Sequence, residues 1–374
     1  MKTVSHALPA QTPGTFRQLV SWHFGDPDRA PGPKVYLQAG LHADEWPPML
    51  VAHHLRLQLS ALEDAGAITG EIVIVPLANP IGLSQVFQGH AMGRFDLADG
   101  RNFNRGYPDL LATIGPGVAG RLGADAATNV TLIRAAMQEA LQAEAPRSEV
   151  QALKRWLMMQ AVGADIVLDL HCDTEAVVHL YTGTPHAETA LQLAGLMGAQ
   201  AVLTAEQSGD QPFDEAVASH WWELSKQYAG RHPVPLACFA ATVELRGQTE
   251  VTHALAHEDA RHLIEFLACR GAVRLPAFAL PVAACAATPL EAVEPLVAPH
   301  GGVVVYFKHP GDRVAANEPV LEIIDTVAQR TSQVCATYPG LLFARATTRF
   351  ATAGMRLAKI AGNTAFRSGN LLGD

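Results

Sequence analysis

The sequence predicts an α/β protein, with a mainly parallel mixed sheet flanked by helices, followed by a small all-β domain. Short apolar runs rich in β-branched residues alternate with longer segments of helical periodicity through most of the chain. One of these runs, DIVLDL, is almost continuously apolar, which predicts a buried strand. After about Pro289 only short strands and turns are predicted. We therefore assign residues 1–285 to an α/β domain and 286–374 to a β-rich accessory domain.

A strand–helix–strand unit opens the predicted sheet. PGPKVYLQAG and GEIVIVPLANP contain predicted strands, because they are short runs with β-branched residues bounded by glycine and proline. Between them, WPPMLVAHHLRLQLSALEDA has apolar residues spaced near 3.6, with Pro47 and Pro48 at its entry, where proline is tolerated. The unit predicts a mainly parallel arrangement of strands.

Further segments extend the strand and helix layers. Residues 81–125 are rich in Gly, Asn, Asp and Arg, and they predict a long functional loop region. Two helices are predicted in NVTLIRAAMQEALQAEA and VQALKRWLMMQAVG. Four strands are predicted in ADIVLDLHCD, AVVHLYTG, AQAVLTA and LACFAATVELRG. A last helix is predicted in THALAHEDARHLIEFLACRG, with Gly271 as its stop signal.

The second domain contains a weak internal repeat. Gly302–Ile324 and Gly340–Ile360 each run from glycine through an apolar strand and a turn to a second strand ending in isoleucine. The turn HPGD and the strand after it resemble a biotinyl/lipoyl-type barrel-sandwich hybrid. Those carriers present a modifiable lysine in a hairpin, but the matching stretch IDTVAQRTS has none. An accessory cap is therefore favoured over a swinging-arm carrier.

Composition limits the classes of partner and compartment. The chain of 374 residues has 27 Lys+Arg against 36 Asp+Glu, a net charge of −9, and no long basic run, which argues against nucleic acid or an anionic membrane as partner. Five scattered cysteines without a C-x-x-C indicate a reducing compartment. The N-terminal stretch has no apolar signal-peptide core, and no apolar run reaches about 18 residues. We expect a cytoplasmic protein, either monomeric or a homo-oligomer.

The stretch GLHADEW follows the first predicted buried strand and holds two candidate metal ligands. His42 and Glu45 are three residues apart, so in a helical turn their side chains point the same way. H-x-x-E is common by chance, however, and the pair taken alone favours a solvated polar turn. A catalytic zinc site needs a third protein ligand, and two histidines with one glutamate are a known set.

Among the 16 histidines, His171 has the position that a third ligand requires. It ends the apolar run DIVLDL, and the carboxyl ends of strands are where α/β sheets bind ligands. Asp169, two residues earlier, lies on the same face and could orient the imidazole. By contrast, His53 and His54 fall on a predicted solvated helix face, and His179 falls inside an apolar strand.

Two further groups could supply catalysis and substrate binding. Glu244 lies near the end of the apolar strand FAATVEL, where a carboxylate that faces a cleft could act as a base; an ion pair with Arg246 is an equally good explanation. The loop GRFDLADGRNFNRGYP concentrates Arg94, Arg101, Asn104 and Arg105, which could bind carboxylates or polarise a carbonyl, or could form a solvated basic loop.

In this order the motifs resemble those of the zinc carboxypeptidase superfamily and, within it, the succinylglutamate desuccinylase/aspartoacylase family. GLHADE resembles the family's G-x-H-G-x-E, NFNR its D-L-N-R, DLH its D-L-H, and VEL the strand that carries its base. The resemblance covers roughly residues 30 to 270, and the family commonly adds a C-terminal β-domain. It implies a zinc carboxypeptidase-like fold and hydrolysis of the amide bond of a small N-acyl amino acid.

The resemblance also implies roles for individual residues. His42, Glu45 and His171 would bind one zinc ion per chain. Glu244 would be the general base and Arg94 would polarise the scissile carbonyl. Asn104 and Arg105 would hold the substrate carboxylate, and Arg101 competes with Arg94 for its role.

Three departures from the family pattern stand out. Ala43 replaces a glycine, Asn102 replaces an aspartate, and the spacing from the arginine to Asn-Arg is longer than usual. Tyr107 and Arg246 are candidates for the lid tyrosine and the specificity arginine. Two rival functions are a zinc carboxypeptidase that cleaves peptides and a binding module with a degenerate first domain.

Overall fold

A computed structural model of the protein describes residues 1–26 and 32–372. The strands up to residue 289 are β1 (Lys2–Ala7), β2 (Gln18–Phe24), β3 (Lys34–Ala39), β4 (Glu71–Val75), β5 (Val86–Phe87), β6 (His90–Ala91), β7 (Ile166–Asp173), β8 (Glu175–Ala176), β9 (His179–Gly183), β10 (Ala201–Ala205), β11 (Phe239–Gly247) and β12 (Ala287–Pro289). The later strands are β13 (Val293–Val297), β14 (Gly302–Tyr306), β15 (Arg313–Val314), β16 (Pro319–Asp325), β17 (Arg330–Cys335), β18 (Gly340–Arg345), β19 (Phe350–Ala351) and β20 (Arg356–Gly362).

The α-helices of the described chain all precede β12, and a short 3-10 helix, Leu290–Ala292, follows it. They are α1 (Pro47–Asp64), α2 (Pro80–Leu83), α3 (Leu110–Val118), α4 (Ala126–Ala143), α5 (Glu149–Ala161), α6 (Ala187–Met197), α7 (Phe213–Tyr228) and α8 (His253–Cys269). Helix α3 falls inside the predicted loop region. The Asp109 side chain accepts a hydrogen bond from the backbone N–H of Ala112 and caps it.

Nine strands form one mixed sheet in the order β1-β2-β4-β3-β7-β11-β9-β10-β12. Strand β3 pairs in parallel with β4 and β7, β7 with β11, and β10 with β9 and β12. The antiparallel pairs are β1–β2, β2–β4 and β11–β9. The predicted mixed α/β class is confirmed. The antiparallel β1–β2 edge and the reversal at β9 are features that the sequence had not indicated.

Helices cover both faces of this sheet. Helices α1, α6 and α8 pack on one face through a cluster that includes Leu55, Leu193 and Leu263. Helices α3, α4, α5 and α7 pack on the other through a cluster that includes Trp156 and Trp221. Because both faces are covered, the central strand β7 is buried along nearly its whole length.

The last part of the described chain forms two small antiparallel sheets. Strands β13, β20, β18 and β15 make one, and β17, β16, β14 and β19 make the other. Strand β18 also pairs with β8, so this β-rich part is joined directly to the segment that follows β7. Strand β12 belongs to the large sheet. The domain boundary between residues 285 and 286 stays a prediction.

None of the helices in residues 1–26 and 32–372 combines the length and the apolar character that crossing a bilayer requires.

Candidate metal centre

The turn that carries His42 and Glu45 is built by close backbone contacts at the end of β3. Gly40 adopts a left-handed φ of 69°, and the backbone N–H of Glu45 donates to the carbonyl of His42 over 3.1 Å. The loop at Gly93 packs against this turn, since the Gly93 carbonyl accepts from the N–H of Ala43 over 3.1 Å. A Cβ on Gly93 would lie 2.4 Å from the backbone nitrogen of Asp44. Only glycine therefore allows this approach.

The structure brings His42, Glu45 and His171 into one buried group. Their potential ligand atoms all lie within 4.8 Å of one another. The Nδ1 atoms of His42 and His171 each lie 2.9 Å from a different carboxylate oxygen of Glu45. The backbone N–H of Cys172 donates to Glu45 Oε2 over 3.0 Å and so fixes the carboxylate.

The outer nitrogens of both imidazoles are held by oxygen atoms. His42 Nε2 lies 2.8 Å from Asn102 Oδ1, and His171 Nε2 lies 3.0 Å from Asp169 Oδ2. An acceptor at Nε2 favours the tautomer with its proton there, which leaves the Nδ1 lone pair pointing into the group. Two imidazoles and one carboxylate arranged in this way fit the donor set of a zinc site that keeps a position open.

Behind His171, a buried chain of polar side chains crosses two strands. Tyr36 donates its hydroxyl proton to Gln38 Oε1 over 2.9 Å, and Gln38 Nε2 donates to Asp169 Oδ1 over 2.9 Å. Tyr36, Gln38 and Asp169 are fully buried. Asp169 therefore lies between two partners and cannot rotate away from His171 without losing the bond to Gln38.

Burial and neighbouring charges set the ionisation of the ligand group. Burial, with the nearby Arg94 cation, lowers the pKa of His42 to about 4, so its imidazole is neutral at pH 7 and able to bind a cation. Burial opposes ionisation of Glu45, but His171 and His42 overcome it and hold the pKa of Glu45 well below its usual range.

Glu244 lies beside this group on the neighbouring strand. It pairs with His171 in the parallel register of β11 and β7, so the two side chains share one face of the sheet. Glu244 Oε2 has no hydrogen-bond partner among the described residues. Burial, with the Glu45 carboxylate, raises the pKa of Glu244 to about 8. Arg246 instead forms an ion pair with Asp259, so the alternative Glu244–Arg246 pair is absent.

Of the two competing arginines, the structure brings only Arg94 to the group. Arg94 Nη1 lies 3.2 Å from Glu45 Oε1 and 3.2 Å from His42 Nδ1. The Arg101 side chain is 81% exposed and pairs with Asp99 at 3.5 Å. Its exposure places the Arg101 guanidinium in solvent rather than against the ligand group.

Asn104 and Arg105 occupy a second side of the site. Asn104 Nδ2 lies 3.4 Å from His171 Nε2, and Asn104 Oδ1 accepts from the backbone N–H of Phe213 at the start of α7. Arg105 donates from Nη1 to the Asn104 carbonyl and from Nη2 to the carbonyl of Leu372. The C-terminal segment therefore helps to fix Arg105.

A cavity of about 610 Å³ extends from the ligand group beneath the β-rich part of the chain. Strand β20 contributes Leu357 and Lys359 to its wall, and β9 contributes Tyr181. Lys359 Nζ forms a 2.5 Å ion pair with Asp173, two residues after His171. Neither Lys359 nor Tyr181 carries a local signal in the sequence, because both reach the site only through long-range packing.

Comparisons with known proteins identify the family of the chain. The family model for the succinylglutamate desuccinylase/aspartoacylase catalytic domain matches residues 31–270. The chain belongs to this family. A search of curated proteins found no match.

Solved structures extend the likeness beyond the matched region. A candidate succinylglutamate desuccinylase/aspartoacylase of Shewanella frigidimarina NCIMB 400 is 25% identical, with a TM-score of 0.85 over 97% of each chain. A family protein of Shewanella amazonensis SB2B is also 25% identical, with a TM-score of 0.84 over 96% of this chain and 98% of its own. The product-bound ectoine utilization protein EutE (DoeB) of Ruegeria pomeroyi shares the fold at 14% identity and a TM-score of 0.66, over 96% and 95% of the two chains.

Two departures from the family pattern have visible consequences in the structure. Ala43 is fully buried and does not adopt a left-handed backbone, so glycine is not required at this position. Asn102 Oδ1 accepts from the backbone N–H of Asn104 as well as facing His42. An amide oxygen at this position is uncharged, so His42 has a weaker acceptor than a carboxylate would be.

The remaining candidate residues lie away from the ligand group. Tyr107 is buried against Phe213, and Arg246 is paired with Asp259. Neither side chain lines the cavity, so Tyr107 does not form a lid over it and Arg246 does not face a substrate there. His179 is fully buried, as predicted, and His53 is exposed on α1.

Proposed function

We propose that this family member is a zinc-dependent deacylase that hydrolyses the amide bond of a small N-acyl amino acid. The observation that carries the proposal is the position of Glu244. It is a carboxyl group with an unpartnered oxygen, on the same sheet face as His171 and next to a group able to hold a metal. A buried carboxyl oxygen without a hydrogen-bond partner is costly, so its presence beside the ligand group favours a role in proton transfer.

His42, Glu45 and His171 would hold the zinc ion. A bound zinc ion supplies Lewis-acid chemistry that makes a water molecule acidic enough to attack near neutral pH. The outer contacts to Asn102 and Asp169 fix the two imidazoles in the ligand orientation.

Glu244 would act first as the general base and then as the general acid of the reaction. Its carboxylate accepts a proton from the water that attacks the amide carbonyl carbon. It then donates that proton to the amide nitrogen, the C–N bond breaks, and the products are a free amine and a carboxylate. Burial raises the pKa of Glu244 to about 8, and the positive charge of a bound metal acts in the opposite direction, toward the operating pH.

Arg94 and the Asn104–Arg105 pair would position the substrate. Arg94 can donate a hydrogen bond to the carbonyl oxygen as negative charge develops on it. Asn104 and Arg105 line the cavity on another side, where a guanidinium can bind the substrate carboxylate. The roles that the family resemblance implies are compatible with these positions, except for that of Arg101, whose side chain is exposed.

The β-rich accessory part, which we propose is barrel-sandwich-like, would limit the size of the substrate. Strands β18 and β20 form part of the cavity wall, and its volume of about 610 Å³ is in the range of small-molecule sites. We therefore favour a small N-acyl amino acid over a polypeptide. Turnover of a hippuryl-type peptide in preference to such compounds would support the carboxypeptidase alternative. A cytoplasmic location and a homo-oligomer stay predictions.

The proposal is tested by zinc content together with amine release from a panel of N-acyl amino acids. We expect near-stoichiometric zinc and turnover of at least one compound. Glu244→Gln should retain zinc and lose at least about 100-fold in kcat. The matched control is Glu139→Gln, which removes an exposed carboxylate on α4 and should leave both unchanged. Absence of zinc after reconstitution, or full activity of Glu244→Gln, would refute the proposal.

A further inference from the structure

Beyond Glu244, the cavity continues across the face of the large sheet over uncharged residues that are mainly apolar, with hydroxyl groups on Thr242 and Tyr181. Thr242 on β11 pairs with Tyr181 on β9, and Tyr181 pairs with Leu203 on β10. In the next row Gly183 pairs with Ala205. Directly paired residues share a face of the sheet, and all five line the cavity. They form the floor of a compartment next to the ligand group, which we call the β9–β10 floor.

The walls around this floor are also largely apolar. Trp222 of α7 packs over Gly183, where a Cβ would lie only 2.7 Å from the indole ring. Leu290, Leu357 and Leu372 close the compartment from the β-rich part of the chain. Trp222 is buried, so its ring forms a fixed surface.

Several charged groups border the cavity, and most of them are already paired. Lys359 is paired with Asp173, and Arg345 with Glu175 over 2.5 Å.

On the α7 side, the Glu215 carboxylate accepts hydrogen bonds from the backbone N–H and the hydroxyl of Ser208. Asp214 is buried, and burial raises its pKa to about 7. Arg356 is exposed.

Lys359 and Arg94 act electrostatically on Tyr181 of the floor, and both are already paired, with Asp173 and Glu45 respectively. A carboxylate over the floor would have to compete with these ion pairs, so the loss of its hydration would be poorly compensated.

The order of strands decides which half of the substrate reaches this compartment. His42 and Glu45 follow β3, His171 lies on β7, and Glu244 lies on β11, the strand between the ligand group and β9. In the proposed reaction the amide nitrogen takes its proton from Glu244. The nitrogen therefore lies on the β11 side, and its substituent extends over β9 and β10.

We propose that the β9–β10 floor binds an apolar side chain on the amine half of the substrate. The substrate class is then N-acyl derivatives of hydrophobic amino acids, such as leucine or phenylalanine, rather than of aspartate or glutamate. This inference rests on the proposed deacylase function and specifies its substrate.

The first test compares kcat/KM for N-acetyl derivatives of leucine, phenylalanine, alanine, aspartate and glutamate on the zinc-loaded enzyme. We expect leucine and phenylalanine to exceed aspartate and glutamate by at least about tenfold, which is typical for filling an apolar pocket. A preference for the acidic compounds would overturn the inference while leaving the deacylase function standing.

The second test fills the compartment. Ala205→Phe should lower kcat/KM for the leucine and phenylalanine compounds at least about tenfold, with N-acetylalanine turnover and zinc content little changed. Ala268→Phe is the matched control, because it adds the same group at a half-buried site on α8, outside this cavity. Equal losses on all substrates with Ala205→Phe would contradict a side-chain subsite.

Binding of free amino acids separates this inference from the proposed function. Calorimetry on the zinc-loaded wild-type protein should show tighter binding of leucine or phenylalanine than of aspartate. If no compound is turned over, the deacylase proposal fails. The order of binding affinities then still tests whether the β9–β10 floor binds an apolar side chain. Equal or tighter binding of aspartate would overturn it, whether or not Ala205→Phe folds.

Discussion

Asp169 is the residue through which the fold controls the candidate metal centre. Its Oδ2 faces His171 Nε2 at 3.0 Å, and its Oδ1 accepts from Gln38 Nε2 over 2.9 Å. Asp169→Asn keeps the size of the side chain but leaves one acceptor oxygen for two N–H donors. The amide NH₂ must then face one of those donors in a fully buried position.

The expected loss of zinc affinity follows from that lost acceptor. A buried donor without a partner costs about 1–3 kcal/mol. If His171 loses its acceptor, zinc affinity should fall about 10–100-fold, which is the usual effect of removing an outer partner of a metal ligand. The affinity is measured by competition with a chromophoric chelator, and circular dichroism shows whether the fold is retained.

Asp165→Asn is the matched control for this experiment. Asp165 precedes the same strand β7, accepts from the backbone N–H of Lys34, and pairs with Arg134 away from the ligand group. Its substitution should leave zinc affinity unchanged. A folded Asp169→Asn protein whose zinc affinity stays within about threefold of wild type would refute the positioning role of Asp169.

Two further predictions concern the backbone near the ligand group and a buried carboxyl. Gly93→Ala should displace the turn at His42 and reduce bound zinc, because its Cβ would lie 2.4 Å from the backbone nitrogen of Asp44. The control Gly123→Ala should keep its zinc, because nothing lies within 4 Å of the added Cβ. Equal zinc contents of the two variants by mass spectrometry would contradict the prediction for Gly93→Ala. Burial raises the pKa of Asp214 from 3.8 to about 7, so the folded state binds its proton more tightly, and stability falls as pH rises between these values. From pH 5 to pH 8, the free energy of unfolding of Asp214→Asn in urea should therefore rise by about 3 kcal/mol relative to that of wild type. A difference between the two proteins that does not change with pH would disprove the assigned shift.

Most of the ligand group could be predicted from local patterns. Each of its residues follows an apolar strand or lies near the end of one: His42 and Glu45 follow β3, His171 lies on β7 and Glu244 on β11. The structure places these residues together. The carboxyl ends of β3, β7 and β11 meet because these strands are parallel neighbours, so the position of each residue along its strand already fixed its place in the molecule.

The choice between the two arginines could not be made from the sequence. Both lie in one polar loop, and composition does not tell which faces inward. The backbone bridge between Phe95 and Asn102, with the Phe103 N–H donating to the Arg94 carbonyl, closes the loop so that Arg94 contacts Glu45. Arg101 is left beside Asp99 in solvent.

The sequence by itself determined the class of fold, the order of the motifs and the family, since strand periodicity and ligand spacing are local properties. Tertiary structure alone decided the shape and chemistry of the cavity. Lys359 lies far from His171 along the chain, yet its ammonium reaches Asp173 because β18, the neighbour of β20, pairs with β8. Tyr181 likewise joins the site through the antiparallel pairing of β9 with β11. Such contacts depend on which segments pack together, and the local sequence of either segment does not encode that choice.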